Sequence, residues 1–274
     1  MVVVAEPCSS TPMRELEMDE ISITAVIPTL NEAANLPHVF ARLPECVDEV
    51  IVVDGHSTDD TVAVAQALLP SVRIVLQNGR GKGNALACGF AAARGDIIVM
   101  LDADGSTDPA EIPNYVAPLL AGADFAKGSR CMPGGGSADI SVLRSIGNAV
   151  LTRAVNVLFH QRYTDLCYGY NAFWAHCLDD MQVDCDGFEI ETLINVRIAR
   201  AGLDVREVPS MELERLHGVS NLNAFRDGWR VLRTIIRERI AAKPGAQSTE
   251  WVTPSFKELG APAIEEMTAQ LAIG

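Results

Sequence analysis

Asp102-Ala103-Asp104 places two carboxylates two residues apart at the end of the apolar run 97–101. If that run is a strand continuing through Asp102, positions i and i+2 face one side and the two carboxylates converge. Like charges that close repel unless a cation stands between them. Ligands made only of oxygen suit Mg²⁺ or Mn²⁺, in sites that add substrate phosphates to one or two carboxylates. Other acidic side chains follow other apolar runs: Glu32 after 23–28, and Asp54 at the end of 49–54 (EVIVVD). The stretch 79–86 (GRGKGNAL) opens a helical pattern, so its backbone N–H groups and Lys82 can reach a phosphate. It is neither a P-loop nor GxGxxG. Arg130 and Arg144 flank the Gly-rich segment 131–138 (CMPGGGSA), and arginine suits bidentate phosphate contact.

These residues need a scaffold that brings strand ends together. Strands are expected at 23–28, 49–54, 72–76 and 96–101, with helices at 32–43, 59–69 and 82–94. Continuous Val/Ile runs alternating with helices indicate parallel strands covered on both faces, the Rossmann-like βαβ pattern. Ligands of such sheets sit beyond the carboxyl ends of the strands. The second half reads as a helix at 109–121, a strand at 124–128 and a flexible loop at 131–138. A helix at 143–159, a strand at 168–174, a helix at 189–201, a strand at 204–213 and a long helix at 221–242 follow. Residues 1–20 read as a tail, 21–242 as one domain, and 243–274 as a linker with a short helix at 263–271.

The chain has 274 residues, enough for one large domain. With 22 Lys and Arg against 36 Asp and Glu, its net charge is −14, which argues against a nucleic-acid binder. Seven scattered cysteines without a CxxC pair point to a reduced compartment and away from zinc. No apolar run has the length of a membrane span, and the N-terminus has no basic, apolar leader. A cytoplasmic location is expected. Arg226, Arg230, Arg233 and Arg237 form one helical stripe in a segment, 226–243, with net charge +4 by six basic against two acidic residues. An ordinary surface helix explains this; so does peripheral contact with the inner face of a membrane.

The motifs together resemble glycosyltransferase family 2, and most closely the catalytic domains of dolichol- or polyprenyl-phosphate sugar synthases. They are VIPTLNEAANL (26–36), VVDGHSTDDT (52–61), GRGKGNAL (79–86), MLDADGSTDP (100–109), KGSR (127–130), TDLCYGYNAF (164–173), GFEIETL (187–193) and EVPSMELERLHGVSNL (207–222). The resemblance implies the GT-A fold, an α/β Rossmann-like nucleotide-diphospho-sugar transferase fold with a mixed, mainly parallel sheet flanked by helices. It implies that Pro28, Leu30, Glu32, Asp54, Lys82 and Ala103 serve the nucleotide sugar. Asp102 and Asp104, the DXD motif, would hold Mg²⁺ or Mn²⁺ on the donor, with Ser106 at a position sometimes used as a third ligand. Arg130, Arg144 and Arg215 would face acceptor or donor phosphates, and Asp165 and Glu191 the acceptor.

The expected activity is inverting, metal-dependent transfer of a hexose from a UDP- or GDP-sugar. The acceptor implied is a polyprenyl phosphate; a soluble phosphate or hydroxyl acceptor is the alternative, and a homo-oligomer is compatible with the sequence. If the acceptor is a hydroxyl, a base must take its proton, and Asp165, Glu191 and His217 are the candidates. This chain departs from the family in DGHS (54–57) and in GVSNL (218–222), which has no lysine after its serine. A sugar-1-phosphate nucleotidyltransferase fits less well, because PTLNE (28–32) stands where such enzymes carry a Gly-rich loop.

Overall fold

The computed structural model describes residues 21–218 and 223–241. The expected tail 1–20, the segment 243–274 and the helix at 263–271 lie outside the described residues.

A seven-stranded sheet runs in the order β3-β2-β1-β4-β7-β5-β8. Its first half is β1 (Ile23–Thr29), β2 (Glu49–Asp54), β3 (Arg73–Leu76) and β4 (Ile97–Met100), all parallel. These strands are apolar along their length because helices cover both faces. Ala25, Val26, Ile27, Ile51, Val52, Val53 and Val99 are fully buried. The connecting helices are α1 (Leu36–Phe40), α2 (Thr61–Leu68) and α3 (Gly81–Ala92). The expected helix 32–43 shrinks to five residues. Its front end is instead a loop bound to the next turn, where Glu32 and Ala33 N–H donate to Thr61 and Asp59.

β1 and β4 are neighbours, with β2 and β3 continuing from β1 on its other side. The order therefore reverses between β1 and β4. A crevice opens at that point beyond the carboxyl ends of the strands.

The second half adds β5 (Phe125–Ser129), β7 (Asn171–Trp174) and β8 (Val205–Pro209). β7 inserts antiparallel between β4 and β5, and β8 pairs parallel with β5. The sheet is thus mixed and mainly parallel, as expected. The Pro109–Glu111 turn leads into α4 (Ile112–Leu120), while α6 (Cys177–Met181) was not expected. The Gly-rich loop holds a short strand, β6 (Gly136–Ser137), pairing with β9 (Met211–Glu212). The expected single strand 204–213 is divided into β8 and β9 by Ser210.

The long helices are α5 (Val142–Phe159), α7 (Ile190–Ala201) and α8 (Ala224–Ile240). Ser141 and Asn223 cap α5 and α8 through their side chains. Val155, Val196, Val231 and Ile235 join the three helices in a second, smaller core. No helix among the described residues is long and apolar enough to cross a membrane.

Candidate functional site

β4 ends at Met100, so Asp102 and Asp104 stand in the following turn rather than on a strand. Strand alternation therefore does not bring them together. Both line one cavity from that turn, in which Gly105 has φ +80°. Each aspartate then meets a different cation. The ammonium of Lys82 lies 2.6 Å from Asp102 and 2.8 Å from Glu191. The guanidinium of Arg215 lies 2.6 Å from Asp104 and 3.6 Å from Glu32. Burial alone would lower the pKa of Lys82, but Asp102 and Glu191 outweigh it and hold the ammonium well above its usual range. Burial pushes the carboxyls of Glu32 and Glu191 up, against the pull of their cationic partners.

Three distant segments converge here. α3 delivers Lys82, the first turn of α7 delivers Glu191, and the turn after β4 delivers Asp102. Gly169 makes room for them: a Cβ there would come within 2.8 Å of the Lys82 nitrogen and 3.3 Å of an Asp102 oxygen. Arg215 is carried by a strap after β9. Leu213 N–H donates to Ser106 and Leu216 N–H to Asp104 backbone oxygens, at 2.8 and 3.2 Å. The Ser106 hydroxyl donates to Asp104 Oδ1 at 2.6 Å.

The glycines of GRGKGNAL serve packing. The Gly83 N–H donates to the Asp186 carbonyl, and a Cβ on Gly83 would come within 2.3 Å of the Cys185 carbonyl. The expected backbone cradle for a phosphate is corrected accordingly: Lys82 enters the cavity, while the N–H of Gly83 is already bonded.

A cavity of about 540 Å³ contains these groups. Pro28, Leu30, Glu32, Lys82, Asp102, Ala103, Asp104 and Ser106 line it, as do Arg130, Arg144, Glu191 and Arg215. Asp54 sits beside this lining: it is buried, accepts from Ser57 N–H at 3.1 Å, and leaves Oδ1 without a partner. Gly55 and Gln77 line the same end and were missed by sequence reasoning. Gln77 was findable, since it directly follows β3 at the same edge of the sheet.

Arg130, Asp165 and His217 differ from expectation. The Arg130 guanidinium is held from three sides: Nε and Nη2 donate to Asp165, Nη1 to Glu212, and Nη2 also to the Cys167 carbonyl at 3.4 Å. Arg130 lines the cavity but is committed to these partners. Asp165 is fully buried and also accepts from Asn148 at 2.9 Å. Burial raises its pKa, but Arg130 outweighs that and holds the carboxyl below its usual range. Asp165 therefore positions Arg130 and does not face the cavity as a base. His217 is exposed and outside the lining, its ring 6.1 Å from that of His38. Arg144, by contrast, lines the cavity and makes an ion pair with Asp139 at 3.2 Å. Glu212 was missed because it is the β5–β8 register, with Ser129 opposite Pro209, that brings residue 212 near residue 130.

The other end of the cavity is mainly apolar, with Asn148 and Asp227 as polar neighbours in its lining. It lies between α5 and α8, lined by Leu143, Gly147, Leu151, Phe225, Gly228 and Val231.

Comparison with known proteins agrees with this geometry. The family model described as glycosyl transferase family 2 matches residues 24–176. The undecaprenyl-phosphate mannosyltransferase of Micrococcus luteus is 32% identical over 213 residues, covering 73% of this chain and 87% of that protein. The polyprenol monophosphomannose synthase of Mycolicibacterium smegmatis is 32% identical, covering 72% and 80%. A solved structure of glucosyl-3-phosphoglycerate synthase from Mycobacterium tuberculosis, in complex with Mn²⁺, UDP and phosphoglyceric acid, superposes with a TM-score of 0.65. It is 25% identical and covers 83% of this chain and 81% of its own.

The buried network around Arg130 generates a stability prediction. Asp165→Asn removes one partner of a buried ion pair, and the cost is about 3 kcal/mol or more. Because the folded carboxyl titrates below its unfolded range, its contribution is present above about pH 4 and fades on acidification through the folded value. Urea unfolding at neutral pH checks this; a variant as stable as the parent would show that the pair carries no net stability.

Proposed function

Because the chain belongs to glycosyl transferase family 2 and is a glycosyltransferase of the GT-A fold, we propose that it moves a hexose from a UDP- or GDP-sugar to a polyprenyl phosphate, with inversion. One observation carries the reading. A single cavity joins a charged end at the β1/β4 crevice to an apolar cleft between two helices. A nucleoside diphosphate suits the first, and a phosphate on a hydrocarbon chain suits both.

The residues fit a divalent ion. Asp102 and Asp104 offer oxygen ligands in one turn, and Gly169 keeps the space beside Asp102 clear of a side chain. Mg²⁺ or Mn²⁺ held there would neutralise charge on the departing nucleoside diphosphate. The chain's own cations have a matching task. Lys82 and Arg215 rest on carboxylates in this structure and are placed to pass to the donor phosphates. That exchange leaves Asp102 and Asp104 available as ligands. The unpartnered Asp54 Oδ1 is suited to accept an N–H of the base.

A phosphate acceptor is already anionic near neutral pH, so its attack on the anomeric carbon needs no strong base. This agrees with the placement of the three base candidates: Asp165 buried behind Arg130, Glu191 against Lys82, and His217 outside the cavity. Arg144 is the guanidinium best placed for the acceptor phosphate. A soluble phosphate acceptor is the second reading, supported by the neighbouring structure that holds phosphoglyceric acid.

Peripheral membrane contact forms part of the proposal. Phe225, Trp229, Ile236 and Ile240 form an exposed apolar stripe on α8, and Val142, Ile146, Val150 and Val157 another on α5. The expected basic stripe is partly neutralised. Arg237 pairs with Asp184 and Glu238, and Arg226 and Arg230 with buried Asp227. Apolar insertion rather than charge is therefore the main term, with exposed Arg233 and Arg239 adding attraction to anionic lipid.

Nucleoside diphosphate release from a panel of UDP- and GDP-sugars, with undecaprenyl phosphate as acceptor and Mn²⁺ present, tests the reaction. Asp104→Ala is expected to lower it on the order of 1,000-fold, equivalent to about 4 kcal/mol of lost stabilisation, and to abolish the Mn²⁺ dependence of nucleotide binding. Retained activity in that variant with EDTA present would remove the metal from the mechanism. Arg144→Ala is expected to raise the acceptor KM about tenfold or more while donor affinity holds; an unchanged acceptor titration refutes its role. In sedimentation with anionic phospholipid vesicles the chain is expected to pellet and Trp229→Glu to pellet several-fold less. A parent chain that stays in the supernatant ends the membrane proposal.

A further inference from the structure

We infer that Gly147 of α5 and Gly228 of α8 form the gap through which the acceptor's hydrocarbon chain leaves the catalytic cavity, and so decide which acceptors fit. The inference rests on the polyprenyl phosphate reading and deepens it.

Both glycines line the cavity where it opens to solvent, Gly147 exposed and Gly228 half-buried, and a Cβ built on either meets no atom within 4 Å. Both also stand inside helices, where glycine is the least favourable residue after proline. Nothing in the packing of this chain requires the missing side chains. The open space is local. Further along the same helices Leu151 and Val155 pack with Val231 and Ile235, which closes α5 against α8. The gap is therefore confined to the N-terminal halves of the two helices, next to the charged end of the cavity.

The occupant follows from what the walls offer. The donor end is walled by Glu32, Lys82, Asp102, Asp104 and Arg215, where a hydrocarbon would strip water from charges without replacing it. An acceptor whose phosphate reaches Arg144 must lead its chain away from those groups. The apolar cleft over Gly147 and Gly228 is continuous with that position. At its edge Leu143 and Phe225 line the cavity while remaining 54% and 80% exposed. Exposed apolar side chains there extend the path toward the stripes on α5 and α8 that would meet lipid.

The test uses Gly147→Leu and Gly228→Leu, with Gly147→Ala and Gly228→Ala as companions, in the full chain. Leucine and alanine both favour a helix over glycine, so the substitutions do not threaten α5 or α8. Sugar transfer to undecaprenyl phosphate is measured with titrated acceptor, and UDP and GDP affinity is measured in parallel. The leucine variants are expected to raise the acceptor KM about tenfold or more, with nucleotide affinity unchanged and the alanine variants shifted in the same direction by less. Either leucine variant suffices, since intact nucleotide binding reports a folded site. Leucine variants that use undecaprenyl phosphate as the parent does would overturn the inference while leaving the acceptor reading in place. A parent that glycosylates phosphoglycerate but not undecaprenyl phosphate would instead remove the acceptor reading, and this inference with it.

Discussion

The cluster of ion pairs at the end of β4 is the constraint on which the rest depends. Asp102, Asp104, Glu32 and Glu191 crowd one crevice, and Lys82 and Arg215 are the two cations that make this tolerable. Four carboxylates with two cations leave the place short of positive charge. A site of that kind accommodates a divalent ion and a diphosphate together better than either alone, because each neutralises what the other brings. The arrangement also explains why helix α3, helix α7 and the strap after β9 must meet at one point. Each delivers one member of the cluster.

The network behind Arg130 shows the opposite use of charge. Arg130 donates to Asp165, Glu212 and the Cys167 carbonyl, and Asn148 braces Asp165. A buried guanidinium held between two carboxylates is a structural joint. It ties the end of β5 to β9 and to the segment before β7, and it makes the floor on which α5 rests through Asn148. Two arginines of similar appearance in the sequence, Arg130 and Arg144, both line the cavity but differ in what holds them: Arg130 is buried between Asp165 and Glu212, and Arg144 makes one ion pair with Asp139.

Much of this was legible in the residues. The parallel half of the sheet follows from its Val/Ile runs, because a strand covered on both faces has no polar side to show. The strand-end rule then located Glu32, Asp54 and the Asp102–Asp104 pair. Lys82 was found from its place at the start of a helix after a glycine turn. The errors have physical causes. Strand alternation does not extend to Asp102 and Asp104, since β4 stops at Met100 and a turn takes over. The glycines near Lys82 read as a phosphate cradle but are spent on close approach to residues 185–187, a contact between segments 100 residues apart.

Local pattern by itself determined the βαβ half, the acidic strand ends and the family to which those motifs belong. Each is a property of a short stretch: hydrophobic period, turn chemistry, or a few residues at fixed spacing. Tertiary structure alone decided which cation meets which carboxylate, that Asp165 is a brace rather than a base, and that two helix glycines open one side of the cavity. Those outcomes depend on Coulomb and packing energies between residues far apart in the chain, which fall off with distance in space and are set only when the sheet order has put the partners in contact.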